Sequence, residues 1–341
     1  GRWGPFVVFC KMVAWTIIPT TLVTMLQQRL PGDHWLNKSP DGESLERFSA
    51  GGQLRVSSTF SFVSQFCMYL NAYTGYLGIA AFASWFPGRG LKAVRNLLLL
   101  LPFYLLAVYS TGSRQAVLGG GLILALSGVV LAVGRGKKYL PGILMLGLMG
   151  IFLLGALRLI HPESFQAYDA RTASADDGDS RGSTGVAVAR VTKGLSNWIN
   201  EAISGPVFGN GLGVMSNGTE KLSNYAAVIR SEGFWTETDP ATVVYEGGIY
   251  LIVVWYGMRA VVIIWGLFAT ITIRNPALAA AAAFCWGPLT IIGALGTLSI
   301  QPPLTIWWWL DFGCILCLRE FDREPRPHQY ARNFREPSRP V

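Results

Sequence analysis

Apolar blocks about 20 residues long recur along this chain, and their length limits its possible folds more than any other property. A helix rises about 1.5 Å per residue, so such a block crosses roughly 30 Å of hydrocarbon. A backbone in lipid must satisfy its own N–H and C=O groups, which leaves helix or closed barrel. The blocks are roughly twice as long as barrel strands. The chain therefore reads as all-α, a polytopic transmembrane helix bundle with spans expected at 5–26, 59–86, 91–109, 116–133, 140–160, 243–273, 277–298 and 303–318, about eight in number. Hydrophobic residues make up 51% of the chain and charged residues 14%, with mean hydropathy +0.37. A soluble surface needs more polar residues than that, and a lipid-facing exterior does not. The chain opens at Gly1 without Met, basic leader or cleavage site. The apolar stretch at Val7 is accordingly expected to be a true span, with further helices upstream.

The organisation that follows has N-terminal spans over 1–160, a long loop over 161–242, C-terminal spans over 243–318 and a basic, Pro-rich tail over 319–341. Lys and Arg in short turns set orientation. Arg89, Lys92, Arg95, Arg135, Lys137, Lys138, Arg274 and the tail arginines all fall on one face if the spans alternate. That face is expected to be cytoplasmic. The net charge of +8 is then a topology signal, with the tail touching lipid rather than nucleic acid. Cys10, Cys67, Cys285, Cys314 and Cys317 all lie within apolar blocks, so no disulfide framework is implied. The pair Cys314 and Cys317 has no second pair beside it and is expected to pack in the core.

The opposite face receives 27–57, the turn at 110–115, the long loop and the turn at 299–302. Within the loop, 169–185 is rich in Ser, Asp, Gly and Thr without apolar periodicity, which predicts a flexible lid or linker. From Val188 apolar residues recur at three- and four-residue steps through Ala202, with Arg190 on another side, which predicts an amphipathic helix. The stretch 206–213 has glycines at Gly209, Gly211 and Gly213, which permit tight turns and close backbone approach to an anion.

Arg55 at the outer end of the second span and Arg114, beside Ser113 in the turn between the third and fourth, are costly near membrane depth unless they snorkel, pair or bind an anion. Together with Arg190 they point to an anion site, and planar guanidinium groups suit a diphosphate. Glu237 and Asp239 are expected to be solvated or interfacial. Glu246, set among apolar residues, is expected to be paired, plausibly with an arginine, or raised in pKa. Arg259 lies deep in the same span and requires a partner or a wet cavity. His34, His161 and His328 offer no ligand spacing, so no metal or other cofactor is expected. There is no P-loop or nucleophile elbow.

The order Arg55-x-Ser-x-Thr-Phe, Thr-Gly-Ser-Arg114, Arg190 leading to Pro-x-x-Gly-x-Gly-x-Gly at 206–213, and Tyr-Glu-Gly-Gly at 245–248 resembles the O-antigen ligase and O-antigen polymerase superfamily. The likeness runs from about Arg55 to Arg259. It implies a bacterial inner-membrane glycosyltransferase of the GT-C type, moving a glycan from an undecaprenyl diphosphate carrier to a glycan or lipid acceptor on the periplasmic side without a metal. The resemblance assigns the diphosphate to Arg55, Arg114 and Arg190, with Ser113, Gly209, Gly211 and Arg259 in support. A histidine that the ligases carry in the returning loop is replaced here by Trp235-Thr-Glu-Thr-Asp239. This leaves open a carboxylate base, with Glu237, Asp239 and Glu246 the candidates, another acceptor, a polymerase-like variant, or no catalysis. Two rival readings are a transporter or flippase for an anionic or lipid-linked substrate, and a noncatalytic assembly partner.

Overall fold

The structure is a computed structural model, and it describes residues 3–38, 42, 44–45, 49, 52, 54–85, 90–135, 140–177, 207–216, 219–231, 239–299 and 301–323. Among these the regular elements are helices: α1 (Trp3–Trp15), α2 (Ile17–Arg29), α3 (Val63–Trp85), α4 (Gly90–Ser110), α5 (Arg114–Arg135), α6 (Leu140–Ile160), α7 (Glu163–Asp177), α8 (Asn224–Ser231), α9 (Asp239–Thr272), α10 (Pro276–Leu295) and α11 (Pro302–Arg323), with short 3-10 turns between some of them.

Every apolar block of the sequence is helical, but fewer are long and apolar enough to cross a membrane. Among the described residues four qualify, over 4–29, 114–134, 239–272 and 276–295, and a fifth does if 147–160 and 163–170, bent by 106°, form one broken span. Asn71, Thr74 and three tyrosines dilute α3. Three tryptophans and Asp311 dilute α11. Asn71, Thr74, the three tyrosines and Asp311 are turned away from lipid and buried among other helices.

The centre of the bundle is α10, with 83% of its apolar window buried against 22% for α9. It touches α3, α5, α9 and α11. Small residues explain the close approach, since lipid provides little hydrophobic drive between helices and association relies on packing. The run Ala279 to Ala283 is fully enclosed. Gly75 and Gly78 lie so near Phe284 that a side-chain carbon on either would overlap it. Polar atoms within this core reach backbone carbonyls: Trp308 Nε1 donates to Leu289 O at 3.0 Å, Trp286 Nε1 to Ile263 O at 2.9 Å, and Ser127 Oγ to Ala283 O at 3.0 Å.

Two helices are broken. Pro19 lacks an N–H and its ring crowds the carbonyl four residues back. The first span accordingly divides at Thr16, whose Oγ donates to Val13 O at 2.6 Å. In α9 the break is at Gly248, with φ 60° and ψ −160°, a conformation that only glycine adopts readily.

The loop differs from its sequence reading at both ends. Residues 169–177, expected to be flexible, continue helix α7. Composition missed this because the helix is anchored from the preceding segment. Phe165 and Ala167 are buried, Phe165 and Tyr168 pack on Tyr109, and Asp169 pairs with Arg158. The returning helix starts at Asp239, ahead of the expected 243. The predicted amphipathic helix at 188–202 and its Arg190 lie outside the described residues, as does Glu237.

Candidate functional site

The end of the bundle where α2, α4 and α6 finish and α3, α5 and α7 begin brings Arg55, Ser113 and Arg114 together. Arg55 is half-buried, and its Nε donates to Thr111 O at 3.1 Å. Its Cγ lies against Gly112, so close that a Cβ on that glycine would sit 3.2 Å from it and equally near Ala167 of α7. Gly112 has φ 59°, so this turn needs glycine for its backbone as well as for its contact. Thr111 Oγ1 accepts from Ser113 N at 3.1 Å, and Ser113 Oγ accepts from Gln115 N at 3.3 Å. Ser113 thus caps α5, as serine does when its oxygen takes an otherwise unbonded amide of the first turn. The cap fixes half-buried Arg114 as the first helical residue, on the same turn that Arg55 clasps.

Residues that sequence reasoning did not select hold this arrangement. Gln27, 1% exposed, clamps the segment after Arg55: its Nε2 donates to Ser58 O at 3.1 Å and to Leu36 O at 2.9 Å, while its Oε1 accepts from Ser58 N at 2.8 Å. Ser58 has φ 54°, unusual for a residue with a Cβ, and its Oγ donates to Thr20 O at 2.8 Å. Gln28 Oε1 accepts from Ser110 and Ser164, each at 3.4 Å, tying α4 to α7. Glu163 opens α7. The backbone amide there and a hydrogen bond with His161 hold its carboxyl below the usual range, which supplies a fixed negative charge at the mouth.

The glycine-rich turn is used differently from its sequence reading. Asn210 N donates to Tyr245 O at 2.9 Å, Gly211 N to Glu246 O at 2.9 Å, and Asn210 Nδ2 to Tyr245 O at 3.0 Å. A Cβ on Gly209, at φ 67°, would lie 2.5 Å from the backbone between Glu246 and Gly247. The expected close backbone approach is real, but its object is the broken helix. Carbonyls at 245 and 246 lose their helical partners at the Gly248 break, and the turn's amides satisfy them. Sequence pattern alone does not separate a nest for an anion from a nest for carbonyls of the same chain.

The acidic residues also differ. Glu246 is 9% exposed, and its Oε1 accepts from Met215 N at 2.9 Å. Among the described residues its partner is this amide, in place of the expected arginine. Asp239, expected to be solvated or interfacial, is 3% exposed. Its Oδ2 accepts from Arg259 Nη2 at 2.6 Å and Tyr256 Oη at 2.9 Å; its Oδ1 accepts from Ser299 N at 2.7 Å and Ser299 Oγ at 2.6 Å. Four donors fill the carboxylate, and none of its lone pairs remains for an acceptor hydroxyl. Asp239 is therefore a structural anion, and the base role drawn for it from sequence does not fit its surroundings. The partner required by Arg259 is this carboxylate, with Trp255 and Tyr256 rings 4.9 and 4.7 Å from the guanidinium carbon and the carbonyls of Gly293 and Gly296 beyond. The pair joins the start of α9 to its middle across the Gly248 break.

Asp239 and the mouth share a neighbourhood through the turn after α10. Ser299 binds Asp239, and Gln301 Nε2 donates to Ser64 Oγ at 3.2 Å near the start of α3. One turn along, Gln115 Nε2 reaches Met68 Sδ at 3.7 Å. No family model, curated protein or solved structure matches this chain. Among the described residues no group of three or more His, Cys, Asp or Glu has the arrangement of a metal site. The described cysteines are free thiols; Cys314 is buried and Cys317 exposed. Sequence reasoning also passed over Asp311, 1% exposed in α11, whose Oδ2 has no hydrogen-bond partner among the described residues.

Proposed function

We propose that the chain is a membrane glycosyltransferase of the O-antigen ligase or polymerase type, with about eight spans in a bacterial inner membrane. It transfers or polymerises an undecaprenyl diphosphate-linked glycan on the periplasmic side. The observation that carries this reading is the contact of Arg55 with the turn leading into Arg114. Two permanently charged, planar groups 59 positions apart are supported by one small piece of backbone. A diphosphate leaving group gains negative charge in the transition state, so fixed cations in a water-poor cleft stabilise that state preferentially. This accounts for acceleration without a metal.

Arg55 and Arg114 bind the diphosphate in this proposal, and Arg190 completes the set from the loop. With Asp239 fully engaged, the acceptor's proton goes to Glu246 or Glu237. Glu246 is favoured by its setting beside the helix break, where Oε1 is held by Met215 N and Oε2 has no hydrogen-bond partner among the described residues. The supporting roles first given to Gly209, Gly211 and Arg259 become positional: they hold the broken helix that presents Glu246.

One observation favours the transporter reading, namely the break at Gly248. Discontinuous helices are characteristic of substrate sites in transporters. Purified protein in lipid vesicles with undecaprenyl diphosphate-linked oligosaccharide separates the two. Transfer predicts a covalently extended or re-attached glycan with release of undecaprenyl diphosphate. Movement of the oligosaccharide across the bilayer without covalent product would replace the proposal with the transporter.

A further inference from the structure

The opposite end of the bundle, where α9 and α11 finish and α10 begins, carries a cavity of about 380 Å³ lined by Thr272, Ile273, Arg274, Arg319, Asp322 and Arg323. Its volume is in the range of small-molecule sites. Three guanidinium groups and one carboxylate line it, and the carboxylate is already committed. Asp322 Oδ2 accepts from Arg274 N at 2.7 Å and Oδ1 from Asn275 N at 2.8 Å. Asn275 Oδ1 in turn accepts from Ala277 N at 2.9 Å and caps α10. Asp322 thus fixes the backbone of the wall, and Arg274, Arg319 and Arg323 bring three cationic side chains to it.

Aromatic rings adjoin the site next to Arg319. The Arg319 guanidinium carbon lies 5.2 Å from the Trp265 ring centre. Trp265 packs edge-on against Phe312, with Trp309 beside that. A cationic lining with tryptophan beside it suits the headgroup boundary of a bilayer, where tryptophan concentrates and acidic headgroups meet basic pockets between helices. Arg323 has an exposed ion pair with Glu320 at 2.7 Å; screening makes such a pair weak enough for a phosphate to displace it.

We propose that this cavity binds the phosphate of an acidic phospholipid headgroup at the basic face of the bundle. Guanidinium groups favour phosphate because they bond it in bidentate fashion and stay charged. A soluble phosphate has the same chemistry. The tryptophan beside Arg319 and the location at the ends of apolar helices favour the lipid.

The test is native mass spectrometry of the full chain in detergent, titrated with phosphatidylglycerol or phosphatidylcholine, with and without inorganic pyrophosphate. Saturable retention of phosphatidylglycerol over phosphatidylcholine is expected. Each guanidinium near the membrane surface contributes about fivefold in affinity, so Arg274→Gln with Arg319→Gln should weaken retention about 25-fold. Arg158→Gln, at the other end of the bundle, should not change it. Should the double variant fail to fold, Arg319→Gln alone should still lose about fivefold at an unchanged melting temperature. Equal retention of the two lipids, or wild-type retention by a folded variant, overturns the site. Displacement of the lipid by pyrophosphate with the same arginine dependence overturns the lipid assignment.

Discussion

Replacing Asp239 by Asn tests the reading of the broken helix most sharply, because the two side chains have nearly the same shape. The carboxylate receives two donors on each oxygen: Arg259 Nη2 and Tyr256 Oη on one, Ser299 N and Oγ on the other. An amide nitrogen placed at the first site faces the guanidinium, and at the second it faces the Ser299 N–H. Hydroxyls can rotate to accept, whereas neither of those nitrogens can. Either orientation leaves a donor opposed to a donor and Arg259, 2% exposed, without its counter-ion. Removing one member of a buried pair typically costs about 3–5 kcal/mol, and a loss in that range is expected. Reversible unfolding of the purified protein in mixed micelles measures it. Arg259→Met should cost a similar amount, and the double variant should cost about 2–3 kcal/mol less than the sum, since neither charge is then stranded. A loss under about 1 kcal/mol for Asp239→Asn, or additive single variants, refutes the reasoning.

Other consequences are equally specific. Gly209→Ala brings a Cβ to 2.5 Å from the backbone at Glu246 and should free the turn from the helix break, seen as faster amide exchange at Asn210 and Gly211; unchanged exchange contradicts the assignment. Gly78→Ala places a methyl group on the Phe284 ring and should destabilise the α3–α10 contact by about 1–3 kcal/mol, with Phe284→Leu recovering part of the loss; a neutral Gly78→Ala would show that this packing is not tight. Asp311→Asn removes a buried carboxyl that has an unpartnered oxygen, so stability in micelles should hold or rise; a fall of more than about 2 kcal/mol would mean that the carboxyl is satisfied by a partner.

The helices were legible because a lipid-spanning segment must be long, apolar and internally hydrogen-bonded, and each of those properties is local. The turn glycines were visible for the same reason, whereas Ser113 was singled out for the site and its capping of α5 came from the structure. Partnerships between distant residues were not. Asp239 and Arg259 are 20 positions apart and meet only because Gly248 breaks their helix. Gln27 clamps Ser58 from 31 positions away, although neither residue belongs to a recognisable pattern. The glycine-rich turn was located correctly and its object was mistaken, since backbone amides suit a carbonyl as well as a phosphate. Residues 169–177 read as linker because their polarity hid a helix nucleated by Phe165 and its aromatic neighbours. The bend of 106° between α6 and α7 falls at Pro162, which marks a helix boundary without giving its angle.

The central claim is that Arg55 and Arg114 bind a diphosphate leaving group. Steady-state transfer from undecaprenyl diphosphate-linked oligosaccharide by Arg55→Ala, Arg114→Ala and the double variant, with melting temperature recorded for each, tests it directly. Loss of one group that stabilises transition-state charge lowers turnover by about 10²–10³. The account predicts that loss for each single variant at near wild-type stability, with the double variant showing less than the product because both act on one leaving group. Full transfer activity in folded Arg55→Ala and Arg114→Ala protein would contradict it.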